Sequence, residues 1–129
     1  MIGDIRPAEV VRQVGRGERV ADLVNELKTL TFRSRTPELP VGLEHGIVSR
    51  ADGTRWLVRG GQEGIDLADF AGYRRLLVHT HGRPTGPSPA DYNFLVNNGH
   101  WSSYVVEVGT PAPIKFSRSS PWPQRPGGN

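Results

Sequence analysis

Val20, Leu23, Val24, Leu27 and Leu30 recur at intervals of three and four, which is the stripe of an amphipathic helix starting near Glu18. Packed on a sheet, such a helix leaves Arg19, Glu26 and Lys28 outside. Residues 7–14 read as a shorter helix, with Pro7 in its first turn and Val10, Val11 and Val14 to one side, broken by Gly15-Arg16-Gly17. After an irregular connection over 32–40 the period shortens to two. Residues 43–49 and 55–59 read as strands joined at Asp52-Gly53, a hairpin signal. Glycines at 60, 61 and 64 mark a loop, and 65–73 has room for a turn of helix. Residues 76–81 (Leu-Leu-Val-His-Thr-His) form the central strand, with Leu76, Val78 and Thr80 on one face and Leu77, His79 and His81 on the other. A helix follows over 91–97, then a strand over 102–108, and a short one over 114–116 can pair beside it. No internal repeat is present. The layout predicts a mixed α/β (α+β) fold with a single mixed β-sheet flanked by helices.

With 129 residues, one domain is expected. It divides into helices over 1–32, a core over 41–109 and a loose Pro/Gly-rich tail over 117–129. No apolar run approaches the ~18 residues of a transmembrane helix. The first residues, Met1-Ile2-Gly3-Asp4-Ile5-Arg6, lack the basic-then-apolar layout of a secretory signal. A soluble chain is therefore expected, with no membrane partner. The net charge is only +3 and its arginines are scattered, so nucleic acid is not the expected partner. With no cysteine, disulfides, iron–sulfur clusters and thiolate zinc sites are excluded, and zinc-dependent nucleobase deaminases with them.

The chemistry concentrates in residues 76–97. His79 and His81, two apart on a strand, share a face at the strand's C-terminal end, where α/β sheets place their sites. Asp91 follows a Pro/Gly-rich loop at a helix start. Two imidazoles and a carboxylate are a ligand set for catalytic zinc. Ser88-Pro89-Ala90-Asp91 also reads simply as a helix cap; the two readings are compatible, because a helix N-terminus favours a carboxylate. Ser88 is placed to donate to a developing oxyanion. A zinc hydrolase needs a general base as well. Among Glu44, Glu63, Asp66, Asp69 and Glu107, Glu44 stands out because it interrupts an apolar strand start between glycines. An edge-strand charge that discourages aggregation explains it equally. His45 and His100 read as structural or surface residues.

Glu44, His79-Thr80-His81 and Ser88-Pro89-Ala90-Asp91 together resemble the Glu, His-x-His, Ser-x-x-Asp signature of the JAMM (MPN-type) metalloproteases. The resemblance covers about 41–109 and implies their cytidine-deaminase-like architecture. It further implies Zn2+ held by His79, His81 and Asp91, Glu44 as base and acid, and Ser88 at the oxyanion. The substrate class implied is a peptide or a ubiquitin-like protein. The run from His79 to Asp91, the Ser-Ser-Tyr-Val-Val-Glu strand and the two expected N-terminal helices are similar to JAMM-like C-terminal modules of bacterial polymorphic (Rhs-type) toxins. That similarity implies an effector tip of a larger secreted toxin, acting in a target-cell cytoplasm and paired with a cognate immunity protein. The chain departs from the family pattern in two places. Gly82 stands where Pro usually follows the second His, and nine residues rather than ten separate His81 from Asp91. The mobility of glycine is expected to loosen the site or open it to a different substrate. Two further readings stay open: a metal-dependent amidohydrolase or phosphoesterase, and a non-catalytic interaction module on the same fold.

Overall fold

The computed structural model describes residues 4–82, 91, 94, 95, 100, 102–108 and 113–117. Its element order is β1 (Ile5–Pro7), β2 (Glu9–Val14), α1 (Val20–Arg33), β3 (His45–Arg50), β4 (Arg55–Arg59), β5 (Gly64–Asp66), β6 (Tyr73–His81), β7 (Ser102–Glu107) and β8 (Ile114–Ser117). Six strands form one mixed sheet in the order β2-β4-β3-β6-β7-β8, antiparallel except for the parallel β6–β7 pair. β1 and β5 form a separate parallel pair. The fold is mixed α/β, with β6 inside the main sheet.

The helix forms where its apolar stripe demands it. Leu23, Val24 and Leu27 pack on Val14, Ile47, Leu57, Val78 and Val106 across one face of the sheet. Burying each such side chain contributes roughly 1.5–3 kcal/mol. On the opposite face Val48, Val58, Leu67 and Leu76 are covered by Ile65, Phe70, Tyr73 and Phe94. Asp91, Phe94 and Leu95 are helical, as expected, and Leu95 packs with Val105 and Phe116.

Residues 7–14 are not a helix, so the pair of N-terminal helices expected over 1–32 reduces to α1. The valines at 10, 11 and 14 mimic a helical stripe because β2 carries a bulge. Val10 pairs with Val58 and Arg12 with Leu57, which leaves Val11 as the extra residue. The bulge reverses the alternation, so Val14 reaches the helix-facing core while Val10 stays exposed. Arg12, now on the helix side, fastens β2 to α1 through Glu26 and to the turn before α1 through Glu18, each at 2.8 Å. Glu26, expected outside, is therefore half-covered. The turn of helix expected over 65–73 is instead β5 followed by turns, set by Asp66 Oδ1 accepting from Ala68 N and by Gly72 at φ +70°. The tail expected over 117–129 begins with Ser117 inside β8, and its remaining residues lie outside the described ones.

A second bulge shapes β6. Ile47 pairs with Val78 and Val48 with Leu76, so Leu77 is the extra residue. Leu77 therefore joins Val78 on the helix side, and Leu76 joins the opposite core. The expected grouping of Leu76 with Val78 and Thr80 is wrong for this reason. Beyond the bulge the alternation is regular, so Thr80 faces α1 while His79 and His81 share the other face.

Candidate metal centre

His79 and His81 are both buried, and their Nε2 atoms lie 3.2 Å apart. Asp91, from the helical stretch, places Oδ1 3.1 Å from His79 Nε2 and Oδ2 3.4 Å from His81 Nε2. No placement of protons turns all three contacts into hydrogen bonds. Each Nε2 carries at most one proton, and a ring that donates to its neighbour has none left for Asp91. A cation, by contrast, accepts all three lone-pair donors together. Ligand atoms on tetrahedral zinc, with bonds of about 2.0–2.1 Å, stand roughly 3.3 Å from one another. The observed contacts fall in that range, so the donor set fits such an ion.

Glu44 completes the cluster. Its ligand atom and those of His79 and His81 all lie within 4.8 Å of one another, and the three form a buried group that can hold a metal ion. The carboxylate arrives just before β3, where its backbone stays with the β4 side. Glu44 N donates to Gly61 O at 2.8 Å, and Gly60 N donates to Glu44 O at 2.9 Å. Two glycines admit this course: Gly42 turns at φ +78° against the Thr31 carbonyl, and a Cβ at Gly46 would stand 2.8 Å from Val78 O. Glu44 Oε2 is 4.0 Å from His81 Nε2, longer than the three contacts above. It therefore stands one step outside the His–His–Asp group, within hydrogen-bonding reach of a water lying against it.

The two carboxyls differ in character. Burial, then the charges of Asp91 and Glu63, push Glu44 well above the usual carboxylate range. Burial opposes ionisation of Asp91 too, but the charge and hydrogen bond of His79, then those of His81, outweigh it and hold Asp91 low. Asp91 is thus suited to remain a charged ligand and Glu44 to carry a proton.

Of the other candidates, Ser88 lies outside the described residues. Glu63, Asp66 and Asp69 are exposed. Glu107 is buried and paired in register with His81, on the same face. His45 points into the core, where burial first and then the Arg59 charge lower it to about 4 against the opposing bond to Leu43 O. His100 Nε2 meets the Tyr73 hydroxyl at 2.8 Å. Sequence reasoning missed Thr31 and Thr80, fully buried and linked at 2.6 Å between their hydroxyls. A signal existed for Thr31: it continues the Leu23, Val24, Leu27 stripe as a lone hydroxyl.

Gly82, expected to loosen the site, is a point of close packing. A Cβ there would collide with the Val41 carbonyl. Gly82→Ala is expected to destabilise the protein by about 1–3 kcal/mol, as overpacking does. Urea unfolding at fixed zinc would measure this, and unchanged stability would show that the contact yields.

No family model, curated protein or solved structure matches the chain. Among the described residues no helix is long and apolar enough to cross a membrane.

Proposed function

We propose that this chain is a zinc-dependent metallopeptidase or isopeptidase in which His79, His81 and Asp91 hold the metal and Glu44 is general base and acid. The observation that carries the reading is the convergence of two buried imidazoles and a partly buried carboxylate at 3.1–3.4 Å with a fourth donor, a protonatable carboxyl, at 4.0 Å. When bound, zinc supplies Lewis acidity, polarising a carbonyl and making water nucleophilic near neutral pH. Glu44 takes the proton of the attacking water and delivers it to the leaving amine. Asp91 and the imidazoles fix the position of the reacting centre, and the apolar surroundings of Leu95, Val105 and Phe116 keep bulk water from His79. Ser88 is the proposed oxyanion donor. The resemblance to JAMM proteases supports this assignment and suggests a peptide or ubiquitin-like substrate. Its toxin branch suggests an effector released into a neighbouring cell and restrained by an immunity protein.

A metal hydrolase that needs a larger ligand set is less well supported. The two remaining histidines are committed elsewhere, His45 to Thr31 and Leu43 and His100 to Tyr73. The test is elemental analysis of purified protein, expected to give one zinc per chain, with parallel assays on peptide, isopeptide and nucleic-acid substrates. Failure to take up any divalent ion stoichiometrically, even on supplementation, removes the reading.

A further inference from the structure

The geometry points to Thr80, the residue between the two histidines, as a positioning residue whose hydroxyl wedges β3 away from β6 and so sets the gap between Glu44 and His81. The inference rests on the metallopeptidase reading for its catalytic consequence, and on hydrogen bonding for its structural part.

The β3–β6 ladder runs from Arg50↔Tyr73 to Gly46↔His79 and ends there. The next pair would be His45 with Thr80. In its place His45 N donates to Thr80 Oγ1 at 2.9 Å, and Thr80 Oγ1 donates to His45 O at 3.3 Å. One hydroxyl thus takes the role of the partner strand's backbone for both polar groups of His45, and the two backbones are held apart by a side chain's reach. From this point the two backbones pair with different partners, although Gly82 still packs against the Val41 carbonyl. Glu44 follows β4 through Gly60 and Gly61, while His81 stays with β7, opposite Glu107, and accepts from Val108 N at 3.0 Å. Across this change of partner Glu44 Oε2 and His81 Nε2 stand 4.0 Å apart.

The wedge is held from behind. His45 Nδ1 lies 2.9 Å from Leu43 O, an acceptor only, so this nitrogen carries the proton and shares it with Thr31 Oγ1 at 3.1 Å. Thr31 then donates to Thr80 at 2.6 Å, which leaves the Thr80 proton for His45 O. Every donor in this buried chain has an acceptor, and the chain fixes the Thr80 rotamer from α1. Packing alone does not require it: Thr80 is paired in register with apolar Val106, and valine has the shape of threonine.

The experiment compares Thr80→Val and Thr80→Ser with the parent. In Thr80→Val the His45 amide is expected to exchange its hydrogen at least about tenfold faster, since its acceptor is gone. Zinc affinity, measured by calorimetry with zinc alone, is expected to stay unchanged because His79, His81 and Asp91 are intact. The hydrolytic kcat is expected to fall about 100-fold at constant KM, the effect of a small misplacement of a catalytic group. Thr80→Ser is expected to keep all three readouts at the parent values, and Val106→Ala, a packing change beside Thr80, to lower stability without lowering kcat. Unchanged exchange at His45, or a crystal structure of Thr80→Val with Glu44 and His81 at the parent separation, overturns the wedge. A zinc affinity that falls in step with kcat overturns it as well, because Thr80 would then act on the ligands. If the parent hydrolyses nothing, the peptidase reading fails, while the exchange rate and the crystallographic separation still decide the wedge.

Discussion

Glu44→Gln is expected to keep zinc at the parent stoichiometry and to lower kcat by about 10²–10⁴-fold, the contribution of a positioned general base. Retention of the metal follows from distance. The Glu44 carboxylate is 4.0 Å from the nearest ring nitrogen, whereas the His–His–Asp contacts are 3.1–3.4 Å and do not involve it. Loss of rate follows from chemistry, since an amide cannot take a proton from the attacking water and return it to the leaving amine. The substitution also removes an acid that burial and Asp91 hold against ionisation, so the folded state loses no favourable charge. Stability should be equal or slightly higher. Zinc content by elemental analysis, kcat on a peptide substrate and the unfolding midpoint give the three readings from one preparation. A variant with parent activity removes Glu44 from the mechanism. A variant that loses zinc makes Glu44 a ligand, and the base must then be sought elsewhere, with buried Glu107 beside His81 the next candidate.

The parts of the fold legible in the sequence are those whose periodicity is decided locally. The α1 stripe and the β6 histidine pair both keep an unbroken period through the residues that matter, so their faces follow from spacing alone. The β3–β4 hairpin was readable at Asp52-Gly53, where Gly53 adopts φ +88°. Both failures of phase, at Val11 and Leu77, are bulges. A bulge is fixed by the partner strand, and one extra residue makes β2 imitate a helix while moving Leu76 to the wrong face. The candidate site divides the same way. His79, His81 and Asp91 were readable because a strand end and a helix start each impose local geometry. The approach of Glu44 depends on Gly42, Gly46 and Gly82 letting backbone pass close to Thr31, Val78 and Val41, which no spacing rule records. Thr80 looked like a spacer in His-x-His because its partners, Thr31 and His45, are 49 and 35 residues away.

His79→Ala is expected to abolish stoichiometric zinc binding and, with it, the stabilisation that zinc confers. In the parent, free zinc at about 100 times its dissociation constant is expected to add roughly 2.7 kcal/mol, as any ligand does that binds the folded chain and not the unfolded one. In the variant that difference disappears, since two of the three short contacts run through His79 Nε2. The metal-free stability moves for a separate reason. His79 packs edge-on to Phe116, with ring centroids 6.2 Å apart, and its loss opens space beside Leu95 and Val105. Its Nδ1, however, is buried with no hydrogen-bond partner among the described residues, so truncation also relieves an unsatisfied polar atom. The two effects oppose each other, and the metal-free change is therefore expected to be smaller than for an apolar core residue. Asp91→Ala gives the complementary case: it removes the charge that both imidazoles face and is likewise expected to end zinc binding. Chemical unfolding of parent and variants with and without zinc separates the terms. A zinc-dependent gain that survives in both variants would place the ion away from this cluster, and the peptidase reading would fall with it.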